Sequence, residues 1–253
     1  MNNSTVYGGT WQNIDVAIKE MLLSYEELGS MEEEITIMSK SRHPQMIIMY
    51  GISLKQIRQN KLLCWIIMEK MEQNLDQFIF GKKIQQIDLK TKLNICQQII
   101  SGVNFLHGSD IIHRDLKLSN ILLDKKLNAK ITDLGIAKLL ENKEKTLNIT
   151  VAFTARYAAP ETAIDGKSYL KSDIWSLGIM VYEIFLEERA WKNESVNRII
   201  INLSQEKSPF EKGWENIINN QIIVDVIKGA VDYNKQTRFD LNQVSQKINS
   251  LKF

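Results

Sequence analysis

Apolar residues are spaced differently in two parts of this chain. Up to about residue 71 they form short runs rich in β-branched residues, the pattern of strands, around one polar helical segment at Glu26–Lys40. The predicted strands of this part are Thr5–Tyr7, Asp15–Lys19, Ile47–Ile52 and Leu62–Met68. Beyond Met71 the pattern becomes mostly helical. The sequence therefore predicts an α+β fold, with a mostly β first lobe joined to a mostly α second lobe near Glu69–Gln73.

Helical periodicity is clear at three places in the second part. Two amphipathic stripes have apolar residues three or four positions apart. They are Leu89, Leu93, Cys96, Ile100 and Val103, and near the end Leu241, Val244, Ile248 and Leu251. Between them, Ile174–Leu186 is apolar on all sides, which predicts a helix at the centre of a large domain. A strand-rich stretch is predicted from Asp110 to Asp133.

Composition narrows the class of protein. The chain has 253 residues, of which 44% are hydrophobic, and only 12 Gly and 3 Pro, so a disordered or collagen-like chain is excluded. A chain of this size buries roughly 70–75% of its unfolded surface, enough for one large domain or two small lobes. The net charge of +2 gives no electrostatic case for binding nucleic acid or an anionic membrane.

The cysteines and the longest apolar stretch indicate where the protein resides. Cys64 and Cys96 lie in apolar segments with no partner motif nearby, which favours reduced, buried thiols. The first residues lack the basic start and apolar run of a secretory signal. The 13 residues of Ile174–Leu186 are fewer than the ~20 that a membrane helix needs. We therefore expect a cytoplasmic protein without membrane insertion.

A candidate metal site lies in the middle of the chain. Ile121–Leu123 and Ala129–Thr132 are short strand candidates, and if they pair as a hairpin, the flanking residues Asn120 and Asp133 meet at its open end. An amide oxygen beside a carboxylate suits Mg²⁺, which completes its shell with water and substrate phosphates. The hairpin therefore predicts Asn120 and Asp133 as ligands of Mg²⁺.

Two further polar residues lie just upstream of the hairpin. Asp115, five residues before Asn120, follows an apolar run and would bring a second carboxylate beside the same site. It could orient an attacking hydroxyl or accept its proton. Lys117 could neutralise the charge that develops on a transferred phosphate. Each residue alone would be read as a surface charge, but together they indicate phosphoryl transfer.

These residues lie within motifs that resemble those of protein kinases. Residues 113–120 read HRDLKLSN, which matches the H-R-D-L-x-x-x-N catalytic loop. The other matching motifs are Val16–Lys19 (VAIK), Asp133–Gly135 (DLG for D-F-G), Ala159–Glu161 (APE) and Ser172–Gly178 (SDIWSLG). They occur in the family's order from Val6 to about Arg238, and the start resembles the tyrosine-kinase-like group of serine/threonine kinases.

The resemblance implies a bilobal protein kinase fold with an N-lobe at residues 1–71 and a C-lobe at residues 72–253. It implies that ATP is the cofactor with Mg²⁺, and that a protein is the substrate. Asp115 and Lys117 would act in catalysis, and Lys19 would hold the α- and β-phosphates. Lys19 would also pair with an acidic residue of the following helix, which counting back from Arg42 identifies as Glu34, with Glu33 as the alternative.

The family pattern also implies which residues surround the nucleotide. These are Val6, Ala17, Lys19, Met68, Glu69, Met71, Asn74, Leu122 and Asp133. Met68 would be the gatekeeper of the adenine pocket, Glu69 and Met71 would offer hinge backbone groups, and Asn74 could reach the ribose. A stack that links the lobes would consist of Met38, Met49, His113 and Leu134, anchored on Asp173. Glu161 and Arg238 would form a buried ion pair in the second lobe.

Lys117 and Thr154 fit the serine/threonine pattern of the family and therefore favour Ser/Thr substrates. Thr150 or Thr146 is the expected site of activation, either by an upstream kinase or by autophosphorylation. The family's Gly-rich loop should precede Val6, but Met1 and Ser4 occupy the places of its second and third glycines. We therefore expect the first strand to be absent and its neighbour to expose an edge. The alternative to an active kinase is a pseudokinase scaffold that binds partners or nucleotide without catalysis.

Overall fold

The computed structural model describes residues 4–58, 60–81, 86–134, 138–139 and 155–251, without the side chains at positions 30, 33, 34, 138 and 139. The strands are β1 (Ser4–Trp11), β2 (Ile14–Ser24), β3 (Met49–Arg58), β4 (Lys61–Glu69), β5 (Gln73–Asn74), β6 (Ile111–Ile112), β7 (Ile121–Leu123), β8 (Ala129–Ile131) and β9 (Lys138–Leu139). The helices are α1 (Leu28–Lys40), α2 (Leu75–Phe80), α3 (Leu89–Gly108), α4 (Pro160–Ala163), α5 (Leu170–Leu186), α6 (Val196–Ser204), α7 (Gln221–Ala230) and α8 (Leu241–Asn249).

The first lobe is an antiparallel sheet with strand order β1-β2-β4-β3, packed against α1. Strand β4 alternates strictly between buried and partly exposed residues, because successive side chains point to opposite faces. Its buried residues Leu62, Cys64, Ile66 and Met68 share one core with Ile37 and Met38 of α1. This confirms the predicted α+β fold with a β-rich first lobe.

Strand β1 forms one edge of this sheet. It pairs with β2 along its whole length, from Ser4 opposite Met21 to Trp11 opposite Ile14. Among the described residues no other strand pairs with it, and seven of its eight residues are exposed. The exposed edge that the sequence predicts is therefore present in the described part of the chain.

The second lobe is built around α5, whose residues from Ser172 to Ile184 are all buried. Helix α5 packs against α3 and α7, and α8 covers α3. Gly178 allows the close approach of α7, since a Cβ at this position would lie 2.7 Å from the Cβ of Ala230. The second lobe thus has the all-round apolar central helix that the sequence predicts. No helix among the described residues is long and apolar enough to span a membrane.

Several predicted boundaries were wrong. Strand β1 continues to Trp11 rather than Tyr7, and β2 continues to Ser24 rather than Lys19. The strand predicted at Ile47–Ile52 begins only at Met49 and continues to Arg58. Residues 46 and 47 instead bind the second lobe, because the Ile47 N–H donates to the Ile131 carbonyl (3.0 Å) and Met46 bridges to Ile131. Helix α5 begins at Leu170 rather than at Ile174. Its polar first turn, in which Ser172 Oγ accepts from the Tyr169 N–H, concealed its start in the hydrophobic pattern.

Candidate active site

The predicted hairpin is present and brings its two flanking residues to one end. Strands β7 and β8 are antiparallel, with Ile121 opposite Ile131. The Thr132 N–H donates to the Asn120 carbonyl at 3.0 Å, so the pairing continues beyond the strands. Asn120 and Asp133 therefore lie at the open end of the hairpin, although the structure does not test their role as metal ligands.

Asp173, at the start of α5, holds the loop that carries Asp115. Its carboxylate accepts hydrogen bonds from the backbone N–H groups of His113 (2.9 Å) and Arg114 (3.0 Å), and His107 Nε2 lies 2.9 Å away. The side chain is only 1% exposed. Burial acts to raise the pKa of Asp173, but the hydrogen bond and charge of His107 outweigh it, so the pKa lies below its ordinary value. An ionised Asp173 thus fixes the backbone before Asp115, where Arg114 has a left-handed φ of 71°.

Asp115 lies at the centre of a small polar cluster. Its Oδ2 accepts hydrogen bonds from Lys117 Nζ at 2.7 Å and from Asn120 Nδ2 at 3.0 Å. The same amide nitrogen donates to the Asp115 backbone carbonyl at 2.8 Å. The second carboxylate oxygen, Oδ1, is buried and has no hydrogen-bond partner among the described residues. Burying an unpaired acceptor is costly, so Oδ1 is a ready site for a hydroxyl donor.

Lys19 of β2 reaches the second lobe and contacts Asp133. Its Nζ lies 3.0 Å from Asp133 Oδ1, and the Asp133 side chain is 42% exposed. Burial acts to raise the pKa of Asp133, but the charge and hydrogen bond of Lys19 lower it below its ordinary value. The carboxylate is therefore ionised at neutral pH, as a metal ligand must be.

The residues expected around the nucleotide lie on facing surfaces of the two lobes. Strand register places Val6 opposite Lys19 and Ala17 opposite Met68 on one face of the first sheet. In the second lobe, Asn74 of β5 is opposite Leu122 of β7. Val6 is 61% exposed and Met68 only 7%, so this face of the sheet is open to solvent at β1 and buried at β4.

Two of these residues use their side chains for structure. Asn74 is the N-cap of α2, where its Oδ1 accepts from the Gln77 N–H at 2.8 Å. The spacing of Asn74 and Gln77 is a capping signal that could have been read from the sequence. Glu69 Oε1 accepts from the Ile48 N–H and from Lys130 Nζ, both at 2.7 Å. The Glu69 N–H donates to the Ile48 carbonyl, so the predicted adenine contact of the Glu69 backbone would use its carbonyl.

The residues of the predicted interlobe stack are buried, with partial exposure only at Met49. His113 Nε2 lies 3.1 Å from the Thr132 carbonyl, which joins the catalytic loop to the end of β8. The predicted ion pair of Glu161 with Arg238 is confirmed: the guanidinium contacts both carboxylate oxygens, at 2.7 and 3.0 Å.

Several predicted residues lie outside the described residues. Thr146, Thr150 and Thr154 belong to the undescribed segment before residue 155. Glu34 lies on α1, but its side chain and that of Glu33 are not described. The predicted pair of Lys19 with Glu34 therefore stays a prediction.

The structure also contains a polar network around the buried Glu183 that sequence reasoning missed. Tyr157 donates its hydroxyl to Glu183 Oε2 at 2.5 Å, and the Ala190 N–H donates to Glu183 Oε1 at 3.1 Å. Arg189 lies 3.7 Å from Glu183 and forms two hydrogen bonds with Asp76 of α2, at 2.5 and 2.9 Å. The network joins Tyr157, just before α4, to α2 and to the end of α5. Its members are far apart in sequence, and no motif connects them.

Three features of this site are typical of a protein kinase. Lys19 contacts the ionised Asp133, and one oxygen of Asp115 has no partner among the described residues. The loop that carries Asp115 is bonded to Asp173 of the central helix α5. The protein kinase domain family matches residues 2–248, and the chain belongs to this family.

Two relatives are similar to this chain over most of its length. The chain is 35% identical over 219 residues to a G-type lectin S-receptor-like serine/threonine-protein kinase of Arabidopsis thaliana, which covers 83% of this chain and 26% of the relative. It is 32% identical over 207 residues to a serine/threonine-protein kinase/receptor of Acanthamoeba polyphaga mimivirus, covering 78% of this chain and 12% of the relative. The chain thus spans about a quarter or less of the length of these relatives.

Proposed function

We propose that this chain is an ATP-dependent protein kinase that transfers the γ-phosphoryl group to Ser or Thr hydroxyls of protein substrates. The observation that carries the proposal is the polar cluster of Asp115. One carboxylate oxygen is held by Lys117 and Asn120, while Oδ1 is buried without a partner among the described residues. A carboxylate fixed in this way can accept a hydrogen bond from a substrate hydroxyl and orient it for attack.

Lys117 and Lys19 supply positive charge on two sides of the site. Lys117 Nζ is 2.7 Å from Asp115 and would stabilise the charge that develops on the transferred phosphoryl group. Lys19, on the first lobe, would bind the α- and β-phosphates, and its 3.0 Å contact with Asp133 of the second lobe supports this role. Catalysis here would rest on positioning and electrostatics.

The donor set at the end of the hairpin fits Mg²⁺. Asn120 uses its amide nitrogen to bind Asp115, which leaves the amide oxygen for a cation, and Asp133 is an ionised carboxylate. No group of three or more His, Cys, Asp or Glu side chains that could hold a metal occurs among the described residues. Mg²⁺ suits such a site because it takes one or two protein oxygens and fills its shell with water and phosphates. When bound, it would neutralise the phosphates and orient them for transfer.

The position of Lys117 and the names of the relatives both support specificity for Ser and Thr. Lys117 is placed beside Asp115, where a substrate hydroxyl would bind. The relatives that match most of this chain are named serine/threonine-protein kinases. We further propose that phosphorylation of Thr150 or Thr146, by an upstream kinase or by the chain itself, activates the protein, because Arg114 precedes the catalytic aspartate and could pair with the added phosphate.

Phosphate transfer from γ-labelled Mg·ATP to a mixed Ser/Thr/Tyr protein acceptor tests the proposal. Asp115→Asn keeps the size of the side chain but removes the carboxylate, and we expect it to lower transfer at least ~100-fold. Asp110→Asn is the matched control: Asp110 is exposed at a turn with a φ of 56°, a conformation that Asn tolerates well. Phosphoamino-acid analysis of the product should show phosphoserine and phosphothreonine.

Three outcomes would contradict parts of the proposal. Equal transfer by the wild type and Asp115→Asn would exclude the catalytic role of Asp115. Phosphotyrosine as the main product would exclude Ser/Thr specificity. Binding of Mg·ATP without transfer would favour the pseudokinase scaffold.

A further inference from the structure

A cavity lies between the end of α1, the loop that follows it, the start of β3 and β8. It encloses about 550 Å³, within the range of small-molecule sites. Its walls include Met38, Arg42, His43, Ile47, Met49 and Lys130. None of the residues assigned to the nucleotide lines it. We name it the α1–β3 cavity.

The floor of the α1–β3 cavity is apolar. Ile47 is 3% and Met38 6% exposed, and the partly buried Met49 packs against the same core. The hydroxyl groups of Ser39 and Ser41 donate to carbonyls of α1 itself, at 2.9 and 2.7 Å. Flexible methionine side chains adapt to irregular ligand shapes, so this floor suits a flat apolar body.

Positive charge dominates the polar part of the wall. No lining residue is acidic, and Arg42 is exposed at the rim with no ion pair among the described residues. Lys130 also lines the cavity, but its charge is balanced by Glu69 at 2.7 Å. Arg42 is therefore the cation whose charge a ligand would neutralise.

His43 adds a hydrogen-bond donor beside Arg42. Its ring stacks on Phe105 with centroids 4.9 Å apart, and its Nδ1 accepts from the Gln45 N–H at 3.3 Å. Burial lowers the pKa of His43, so the ring is neutral at pH 7 and carries its proton on Nε2. An Arg cation and an imidazole N–H on one wall complement a carboxylate.

From these features we propose that the α1–β3 cavity binds a small organic anion that has a flat apolar body and a single carboxylate. The apolar body would lie against Met38, Ile47 and Met49, and the carboxylate would face Arg42. Since Met38 and Met49 also belong to the predicted interlobe stack, such a ligand would contact the residues that connect the two lobes without entering the nucleotide site.

Methionine methyl NMR tests the proposal without any measurement of activity. We would titrate the chain, labelled with ¹³C at its methionine methyl groups and assigned through single Met→Leu variants, with biphenyl-4-carboxylate. We expect the signals of Met38 and Met49 to shift and to reach a plateau as the concentration of biphenyl-4-carboxylate increases. A non-hydrolysable ATP analogue should instead shift Met68 and Met71, which makes failure of this proposal distinguishable from failure of the proposed kinase function.

Two controls test the role of charge. The uncharged biphenyl-4-methanol should bind at least ~5-fold more weakly than the carboxylate, because it cannot pair with Arg42. Arg42→Glu should weaken binding of the carboxylate by at least ~5-fold, whereas Arg58→Glu, an equal charge change at an exposed position at the end of β3, should alter it less than ~2-fold.

The proposal would be overturned by any of three results. These are the absence of shifts at Met38 and Met49 at millimolar probe, shifts at Met68 and Met71 in their place, and equal binding of the alcohol and the carboxylate. Equal effects of Arg42→Glu and Arg58→Glu would likewise overturn the assignment of the carboxylate to Arg42.

Discussion

The two lobes of this kinase domain hold their predicted catalytic residues in contrasting ways. Lys19 lies on a thin sheet whose edge strand β1 is mostly exposed, and its partner in the second lobe, Asp133, is 42% exposed. Asp115 lies on a loop whose backbone is bonded to Asp173, a 1% exposed carboxylate at the start of the buried helix α5. The second lobe thus holds Asp115 on a loop that is bonded to its buried central helix, whereas the first lobe presents Lys19 from a sheet with an exposed edge strand.

One ion pair from each lobe shows the same contrast. In the second lobe, Arg238 is fully buried and contacts both oxygens of Glu161. In the first lobe, Lys70, directly after β4, lies 3.4 Å from Asp15 of β2, and the two side chains are 46% and 69% exposed. Water screens the exposed pair, so we expect the buried one to dominate stability.

Removing the anchor of the catalytic loop should have the largest effect on stability. In Asp173→Ala, His107 and the backbone N–H groups of His113 and Arg114 lose their common acceptor. We expect the free energy of unfolding to fall by about 3–5 kcal/mol, because a buried charge network is broken on one side. Urea unfolding followed by circular dichroism measures this change.

Asp225→Ala is the matched control for that experiment. Asp225 is on α7 and contacts Lys247 at 3.4 Å, but its side chain is 41% exposed. Its removal should cost less than about 1 kcal/mol. Similar losses in the two variants would show that Asp173 does not anchor the second lobe.

One substitution made in both lobes sharpens the comparison. A Cβ at Gly178 of α5 would lie 2.7 Å from the Ala230 Cβ and 2.6 Å from Val231 Cγ2, whereas a Cβ at Gly8 of β1 would meet nothing within 4 Å. Gly178→Ala should therefore destabilise the chain by about 1–3 kcal/mol through overpacking. Gly8→Ala should be neutral or stabilise by up to about 1 kcal/mol, since alanine costs less chain entropy.

Thermal unfolding of the two variants beside the wild type, without nucleotide, provides the measurement. An unchanged Tm for Gly178→Ala would mean that there is room for a methyl group between α5 and α7. A large loss for Gly8→Ala would mean that the inner face of β1 is covered.

The same contrast explains how much of the structure could be predicted from the sequence. The alternation of buried and exposed residues along β4 and the apolar stretch of α5 follow directly from burial. Both elements could therefore be predicted from the hydrophobic pattern. The hairpin of Asn120 and Asp133 was found because its geometry follows from local pairing. The start of β3 was misplaced, because Ile47 is apolar but bonds to the second lobe rather than to the sheet.

Side-chain contacts between residues that are distant in the chain could not be predicted from the sequence. Nothing local in the sequence indicates that the Glu69 side chain binds Lys130, or that Arg189 joins Asp76 to Glu183. Such side chains are placed by the packing of whole elements. The family resemblance supplied the predicted role of Lys19, which periodicity could not have assigned, whereas the predicted role of Asp115 also followed from its position just before the hairpin.

Glu183 of α5 provides a smaller test of how firmly the second lobe is packed. Its side chain is fully buried, and burial raises its pKa to about 6, against the opposing effects of the Tyr157 hydroxyl and Arg189. The folded state therefore holds a proton near pH 5.5 that the unfolded chain, with an ordinary carboxyl pKa, largely releases. Stability contributed by this group should increase as the pH falls from 7.5 to 5.

Comparison with Glu183→Gln isolates this contribution. The glutamine keeps the size of the side chain and does not titrate, and the carboxylates with lowered pKa values, such as Asp173 and Glu161, affect both proteins alike. The free energy of unfolding of the wild type relative to Glu183→Gln should rise by about 1 kcal/mol between pH 7.5 and pH 5. A difference that stays constant with pH would show that Glu183 has an ordinary pKa and that water reaches this end of α5.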